Sequence, residues 1–312
     1  MRAATLAVVL FLSLPLRSAF AWWDEGHMQI AYLAYKRLDP VVRDRADLLL
    51  RLNPDYPIWI AGAPEEKEKL YAFVHAATWA DDIKTKSDYY DDRVTDSTAS
   101  QNVPYGHLKH SYWHYKDTLY WSDGTPLPAP DPVDAVTQLK LMITKLAASS
   151  GAPDNLRSHD LVWMLHLVGD LHQPLHAIVR YTGQISGPGG DRGGNLELVT
   201  PATGETLPLH FYWDRMFGGY SSVFGAIFDA DDQAGLGNVM PDAAKAQILD
   251  PDTWAQESFE LAKQNAYAAP IRTDKTAVQL TRDYETNARN VAPSQAALAA
   301  ARLANLLNAV LK

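Results

Sequence analysis

The sequence predicts an all-α protein, a single mainly helical domain with a short β-hairpin. Apolar residues recur at helical spacing along most of the 312-residue chain. Pro-rich or Gly-rich stretches, at residues 125–132 and 183–194, separate the helical segments. Only residues 195–206 alternate apolar and polar side chains around a turn-like Pro-Ala-Thr-Gly sequence, which predicts the hairpin.

The start of the chain predicts a cleavable signal peptide over residues 1–21. Arg2 supplies a basic start, an apolar run extends from Leu6 to Leu16, and Ala19-Phe20-Ala21 has the small residues of a cleavage site. The apolar run is shorter than the ~18 residues that a membrane span needs. We therefore expect a mature chain of residues 22–312 that has no membrane anchor and is secreted or periplasmic.

Composition limits the chemistry that the chain can perform. The sequence contains no cysteine, which excludes disulfides and thiolate metal sites. Its formal net charge of −9 argues against binding long nucleic acid by bulk positive charge. Any metal must therefore be held by His, Asp, Glu or backbone atoms, and bound divalent cations would make such a site locally positive.

Eight segments have the apolar spacing of helices. The first follows Gly26-His27 and places Ile30, Leu33, Ala34 and Leu38 on one face. The others lie at residues 41–52, 65–79, 133–148, 159–172, 253–268, 276–287 and 293–311. The sequence pattern at residues 223–237 predicts a surface loop with a helical turn.

One segment in the middle of the chain carries three of the ten histidines. His166 and Asp170 are four residues apart, so a helix points their side chains in the same direction. Pro174 ends that helix and lets His176 turn back beside them. His172 falls on another face and is excluded, and the spacing of the other three residues indicates a metal site.

Three further segments contain candidate ligands. His210 and Asp214 repeat the four-residue spacing, Asp81 follows a helix in Thr-Trp-Ala-Asp-Asp, and His114 lies between aromatic residues. A single histidine on an apolar face is more often a buried core residue than a metal ligand. Their combination favours bound metals.

The new N-terminus is itself a candidate ligand. Cleavage after Ala21 would expose the α-amino group of Trp22, whose pKa of roughly 7.7 to 8 allows it to lose its proton to a metal and bind alongside its own carbonyl oxygen. His27 follows five residues later and can reach the same metal. The alternative is that Trp22 only packs the chain end onto the domain.

With these motifs in order from Trp22 to Asp214, the mature chain resembles the zinc-dependent single-strand nucleases of the S-one/P-one type. The Trp-Ala-Asp motif, the Pro-Leu-His that follows the helical pair and the Gly193-Gly194-Asn195 segment are shared. The resemblance implies three Zn²⁺ ions. One is held by Asp81, His114, His166 and Asp170, the second by Trp22, His27 and Asp170, and the third by His176, His210 and Asp214.

The resemblance also implies a function. It is an endonuclease that hydrolyses single-stranded DNA and RNA to 5′-phosphate products and removes the phosphate of 3′-nucleotides. Asp81, Lys84 and Asp170 are the implied catalytic residues, and a monomer is expected. The implied substrate-binding residues are Lys84, Tyr115, Asp117 and Asn195.

Two other functions remain open at this point. Secreted bacterial zinc phospholipases C share the fold, the terminal Trp and a similar three-zinc site. A non-catalytic periplasmic zinc-binding protein would use the same ligands without turnover. The Trp79-Ala80-Asp81 and Gly193-Gly194-Asn195 motifs and the short opening motif favour the nuclease.

Overall fold

The chain is mainly helical, as the sequence predicts. A computed structural model describes residues 22–121, 123–218 and 222–312, so the predicted signal peptide lies outside the described residues. The described α-helices are α1 (Asp24–Arg37), α2 (Pro40–Leu50), α3 (Tyr56–Trp59), α4 (Glu68–Ala76), α5 (Trp79–Thr85), α6 (Ala135–Leu146), α7 (Asp154–Asp170), α8 (Leu209–Asp214), α9 (Val223–Asp231), α10 (Pro251–Leu261) and α11 (Arg282–Val310). Among these residues, no helix combines the length and apolar character that crossing a bilayer requires.

Helix α7 is enclosed by its neighbours. Every residue from Arg157 to Asp170 is buried, and the helix packs against α1, α2, α5, α6 and α11. A helix that is buried on all sides is expected to be apolar all round. Helix α7 nevertheless carries His166 and Asp170 near its C-terminal end, so the fold places two costly polar groups in its interior.

Local sequence signals set several helix ends. The Asp134 side chain accepts a hydrogen bond from the Thr137 N–H, while the Asp134 N–H donates to the Thr137 hydroxyl, which together cap the start of α6. Helix α7 ends at Asp170, and Pro174 begins a 3₁₀ turn, Pro174–Ala177. The predicted turn is present, but it brings His176 to His114 and His210 rather than directly beside His166 and Asp170.

Five short strands lie in the described part of the chain: β1 (Leu119–Trp121), β2 (Val179–Tyr181), β3 (Leu198–Thr200), β4 (Leu207–Pro208) and β5 (Val278–Gln279). The predicted hairpin is confirmed, because β3 and β4 pair antiparallel with Val199 opposite Leu207. Strand β5 adds parallel to β3, and β1 pairs parallel with β2. The sequence did not reveal β1, β2 or β5, since two or three residues are too few to show a period of two.

The C-terminal region differs from the prediction. Residues 276–287 are not one helix, because they include β5 and α11 begins only at Arg282. Helix α11 then continues through Pro293 to Val310, where the sequence predicts a separate helix. Ala288, Ala292 and Ala296 are buried on both sides of the proline. This packing keeps the helix continuous despite the missing N–H.

Two other segments also differ. The predicted helix at 65–79 is interrupted between α4 and α5, where the Thr78 hydroxyl donates to the His75 carbonyl oxygen at 2.9 Å. Residues 223–231 form α9 rather than a loop, so that prediction was wrong. The Ser222 side chain caps this helix, and Ala226 and Ala230 are buried where α9 packs against α1 and α4. Tertiary contacts therefore stabilise a helix that its sequence pattern does not indicate.

Candidate metal centre

The C-terminal end of α7 organises the first group of candidate ligands. His166 Nε2 lies 3.3 Å from Asp170 Oδ2, as expected for side chains one helical turn apart. The opposite ring nitrogen, Nδ1, donates to the Ala77 carbonyl oxygen at 2.7 Å. This hydrogen bond orients the ring and directs Nε2 towards the carboxylates, which is the arrangement that metal-binding histidines use.

Three other elements bring side chains to the same place. His27 of α1 has its Nε2 3.3 Å from Asp170 Oδ1, and His114 has its Nδ1 3.0 Å from Asp170 Oδ2. Asp81 of α5 lies 3.7 Å from His166 Nε2, measured to Oδ1. All five side chains are buried. We call His27, Asp81, His114, His166 and Asp170 the first cluster.

The position of His27 depends on a glycine in α7. The His27 ring stacks on His166 with ring centroids 3.8 Å apart. A Cβ atom at Gly169 would lie only 2.8 Å from His27 Nδ1. Glycine at 169 therefore gives His27 the space to approach Asp170.

A second cluster consists of His176, His210 and Asp214. Helix α8 places His210 and Asp214 on one face, with Nε2 and Oδ2 3.6 Å apart. His176 Nδ1 donates to the His114 carbonyl oxygen at 2.8 Å, and His210 Nδ1 donates to the Gly193 carbonyl oxygen at 2.7 Å. The two Nε2 atoms then face each other at 3.0 Å. With both protons on Nδ1, two nitrogen lone pairs meet at this distance, which favours a shared cation between them.

Both clusters contain buried polar atoms that have no hydrogen-bond partner. Buried polar groups are normally hydrogen-bonded, so each exception needs an explanation. Six ligand atoms in the described residues have no hydrogen-bond partner: both ring nitrogens of His27, Asp81 Oδ2, His114 Nε2, Asp170 Oδ1 and Asp214 Oδ2. Three sets of three side chains have ligand atoms within 4.8 Å of one another, and each set could hold a metal ion. The residues present therefore fit metal binding.

The first cluster balances its own charges. Burial opposes ionisation of Asp81, but Lys84 and then His166 outweigh it and lower its pKa to about 2. Burial likewise opposes the charge of His166, but Asp170 and Asp81 raise its pKa to about 9. Lys84 Nζ donates to Asp81 Oδ1 at 2.6 Å. The carboxylates are thus ionised and ready to bind cations.

The second cluster has no comparable balance. Burial raises the pKa of Asp214 well above its usual range and lowers that of His210 to about 3. Burial also lowers the pKa of His176. The Gln173 side-chain amide donates to Asp214 Oδ1 at 2.7 Å. Neutral imidazoles are the form in which histidine binds metal.

Comparison with known proteins identifies the family. The family model described as S1/P1 Nuclease matches residues 22–312. The chain belongs to the S1/P1 nuclease family. No curated protein matches the chain.

Membership of the S1/P1 nuclease family identifies the chain as a hydrolase that acts on nucleic acid. The family is zinc-dependent in general, and its members are generally secreted. Both properties agree with the histidine and aspartate clusters and with the predicted signal peptide. Between the nuclease and phospholipase alternatives, the match favours the nuclease.

Trp22 lies between the two clusters. Its indole Nε1 donates to the Gly169 carbonyl oxygen at 3.1 Å, one residue before Asp170. The next residue, Trp23, donates its N–H to the Asp214 carbonyl oxygen at 3.1 Å. Trp22 is fully buried, so packing of the chain end is evident. Coordination by its α-amine stays a prediction, since that nitrogen is bonded to Ala21 in the full chain.

The predicted substrate-binding residues line one pocket. Its volume is about 530 Å³, and Lys84, Tyr115, Asp117 and Asn195 all contribute to its wall. The same wall includes three candidate ligands, His114, His176 and His210. Burial and then Asp131 raise the pKa of Asp117 to about 7. The pocket therefore joins both clusters to the residues expected to contact substrate.

Sequence analysis missed several residues of this region. Ser111, Asp131 and Arg192 also line the pocket, and Gln173 orients Asp214. Arg192 directly precedes the Gly193-Gly194-Asn195 motif, which is a signal that could have revealed it. The other three have no distinctive spacing.

The exclusion of His172 agrees with the structure. His172 Nδ1 donates to the Val168 carbonyl oxygen at 2.7 Å, and its Nε2 accepts from Arg302 Nη1 at 3.0 Å. Both ring nitrogens are thus satisfied by protein groups, and His172 is absent from the three sets that could hold a metal.

Proposed function

We propose that the mature chain, residues 22–312, is a single-domain, secreted or periplasmic zinc endonuclease that cleaves single-stranded DNA and RNA. Its products carry 5′-phosphates, and it also hydrolyses 3′-nucleotides. One observation supports this most strongly: two clusters of buried ligand atoms without hydrogen-bond partners adjoin a pocket lined by Lys84 and Tyr115. Family membership supports the nuclease activity itself.

The ligand sets that we propose use nitrogen and oxygen donors only, which suits zinc. Asp170 belongs to two of them, and its contacts with both His27 and His114 support this sharing. The assignments are Asp81, His114, His166 and Asp170 for one ion, Trp22, His27 and Asp170 for the second, and His176, His210 and Asp214 for the third.

Bound zinc supplies a Lewis acid for the phosphate and lowers the pKa of an attacking water. The protein supplies position and charge. Lys84 lies in the pocket wall beside Asp81, where its ammonium group adds positive charge for the phosphate oxygens. Asp117 and Asn195 offer hydrogen-bonding groups along the same wall.

Pocket size supports a preference for single strands. A volume of about 530 Å³ accommodates a nucleotide whose base has swung out of a strand, and Tyr115 offers an aromatic face on which that base can stack. A base in a duplex must first be unpaired and unstacked, which costs a few kcal/mol. Single strands avoid that cost.

Metal analysis combined with product analysis tests the proposal. Zinc content is measured on the processed protein, and the ends of products are identified from single-stranded and double-stranded DNA and from RNA. We expect three zinc ions, 5′-phosphate ends and faster cleavage of single strands. Products with 3′-phosphate ends, or release of choline phosphate from lecithin without nucleotide release, would show that the proposal is wrong.

A second experiment tests the terminal ligand. One additional residue before Trp22 places its nitrogen in a peptide bond, so we expect the loss of one zinc ion and of most activity. Size-exclusion chromatography of the same preparations checks the expected monomer. Unchanged zinc content and rate would leave Trp22 with a packing role alone.

A further inference from the structure

Arg192 lines the pocket but has no part in the function proposed above. It is exposed, and its guanidinium forms no ion pair or hydrogen bond with any residue in the described part of the chain. By contrast, Arg180 pairs with Glu197 and Arg215 pairs with Glu205. A pocket arginine whose guanidinium has no hydrogen bond or ion pair among the described residues is available for a ligand.

The backbone holds Arg192 in an unusual conformation. Its φ of 55° lies in the left-handed region, which is uncommon for a long side chain. The Arg192 N–H donates to the Gly189 carbonyl oxygen at 2.9 Å. The Arg192 carbonyl oxygen accepts from the Asn195 side-chain amide at 2.8 Å. Strain of this kind persists only where the surrounding structure enforces it, and it is concentrated at functional sites.

The loop around Arg192 is anchored on both sides. The buried Asp191 side chain accepts hydrogen bonds from the Arg180 N–H at 2.8 Å and from the Tyr267 hydroxyl at 2.5 Å. A Cβ atom at Gly193 would lie 2.5 Å from the Leu175 carbonyl oxygen, so the chain there packs directly on backbone. The backbone of Arg192 is therefore fixed on the pocket wall, while its side chain stays exposed.

The charged side chains of the pocket wall limit which of them can bind a phosphate. Among the described residues, two are acidic, Asp117 and Asp131, and two are cationic, Lys84 and Arg192. Lys84 Nζ already hydrogen-bonds Asp81, a proposed metal ligand. Arg192 is the other cationic side chain that could bind a phosphate. A guanidinium can form two parallel hydrogen bonds with phosphate oxygens.

We propose that Arg192 binds a phosphate of the nucleic-acid strand next to the phosphate that is cleaved. This contact gives the enzyme a preference for oligonucleotides over 3′-mononucleotides, because a mononucleotide has no neighbouring phosphate. The inference rests on the proposed function, since it requires that the strand lies in this pocket.

Arg192→Asn and Arg192→Lys test the proposal. Asparagine tolerates the left-handed conformation better than most residues, so Arg192→Asn removes the charge with little backbone cost. Arg192→Lys keeps the charge but loses the paired hydrogen bonds. Lys275→Asn is a matched control, because Lys275 is an exposed basic residue with a φ of 57° that does not line the pocket.

The substrates are a single-stranded DNA decamer and a 3′-mononucleotide. For Arg192→Asn, we expect kcat/KM on the decamer to fall about tenfold more than kcat/KM on the mononucleotide, mainly through KM. The slope of log KM against log salt for the decamer should shrink by about 0.7. Arg192→Lys should give a smaller loss and keep the slope, and Lys275→Asn should resemble the wild type.

Equal losses on both substrates, or an unchanged salt slope, would overturn the role of Arg192 while leaving the nuclease function intact. A wild-type protein that cleaves neither substrate would overturn the proposed function and this inference with it. Zinc content and the thermal unfolding midpoint are measured for each variant. If Arg192→Asn does not fold, Arg192→Lys serves as the test instead. A ratio of kcat/KM between the decamer and the mononucleotide that equals the wild-type ratio would then contradict the proposal.

Discussion

The two clusters are built from the same residue types, yet they differ in charge. In the first cluster, Lys84 and His166 hold the pKa of Asp81 at about 2, opposing the effect of burial. In the second cluster, Asp214 meets only the Gln173 amide as a hydrogen-bond donor, and burial raises its pKa well above the usual range. The same residue type, aspartate, is therefore a candidate ligand in both clusters without having the same protonation state in both. Neighbouring charges and burial decide it.

The difference also concerns the contacts that the protein's own side chains make within each cluster. The Asp170 carboxylate lies 3.0 to 3.3 Å from ring nitrogens of three histidines of the first cluster. His166, whose pKa is raised to about 9, carries a proton that its Nε2 can donate to Asp170 or to His114 Nδ1 at 3.1 Å. In the second cluster the His176 and His210 Nε2 atoms face each other at 3.0 Å without a proton between them. We therefore expect the second cluster to depend more strongly on a bound cation for its geometry.

The largest effect is expected for Asp170→Asn in the first cluster. The substitution removes the charge that two proposed ligand sets share, so hydrolysis of denatured DNA should fall about a thousandfold or more, since each factor of ten is ~1.4 kcal/mol. Zinc content should also fall. Asp160→Asn is the control, because Asp160 is a buried carboxyl of the same helix that hydrogen-bonds Asn102. Full activity with three zinc ions in Asp170→Asn would contradict the shared role.

The second-largest effect is expected for Gly193→Ala, which changes the backbone beside the second cluster. A Cβ in Gly193→Ala would lie 2.5 Å from the Leu175 carbonyl oxygen and 3.3 Å from His210 Nδ1, at a φ of 60°. We expect the free energy of unfolding to fall by about 3 kcal/mol and zinc content to drop. Gly204→Ala has a similarly positive φ of 85° but no atom within 4 Å, so it should cost about 1 kcal/mol and keep its zinc. Equal losses of unfolding free energy in the two variants, measured by urea unfolding, would contradict the steric explanation.

The smallest effects are expected for two substitutions that test the charge difference between the clusters. They are measured on protein from which a chelator has removed the metal. Asp81→Asn should lower the free energy of unfolding at pH 8 by about 2 kcal/mol, because the folded pKa of about 2 lies below the unfolded value. The ionised Asp81 carboxylate contributes this stability at pH values above ~3.9, and the contribution is lost as the pH falls through about 2. Asp214→Asn should have the opposite sign at pH 8, since its folded pKa is raised.

Urea unfolding of both variants at pH 8 and pH 4 measures this contrast. The cost of burying ionised Asp214 is absent below ~3.9 and grows as pH rises towards its folded pKa, so Asp214→Asn should gain stability at pH 8 and little at pH 4. Asn keeps the oxygen that accepts from Gln173. A loss of stability in both variants at pH 8 would show that the clusters do not differ in charge as described.

Local patterns were sufficient for much of the site. His166 with Asp170, and His210 with Asp214, could be paired from sequence because a helix brings residues four apart together wherever it lies. Proline at 174 predicted the turn that carries His176. The hairpin of β3 and β4 was predicted for the same reason, since its strands are adjacent in the chain.

Interactions between distant segments could not be predicted. Strands β1 and β2 pair across some sixty residues, and α11 continues through Pro293 because buried alanines pack on both sides of it. Arg192 joins the pocket through a loop whose path depends on Asp191 and Tyr267. None of these contacts leaves a periodic signal in the sequence.

The sequence by itself determined the mainly helical class, the candidate ligands and the local spacing that pairs them, because helical geometry acts over a few residues. Only the tertiary structure decided that His27 stacks on His166 beside Gly169, that His176 meets His210, and that both clusters adjoin one pocket. It also decided which carboxyl is ionised. Packing between remote elements sets burial and the distances between charges, and those two quantities control the pKa of every candidate ligand.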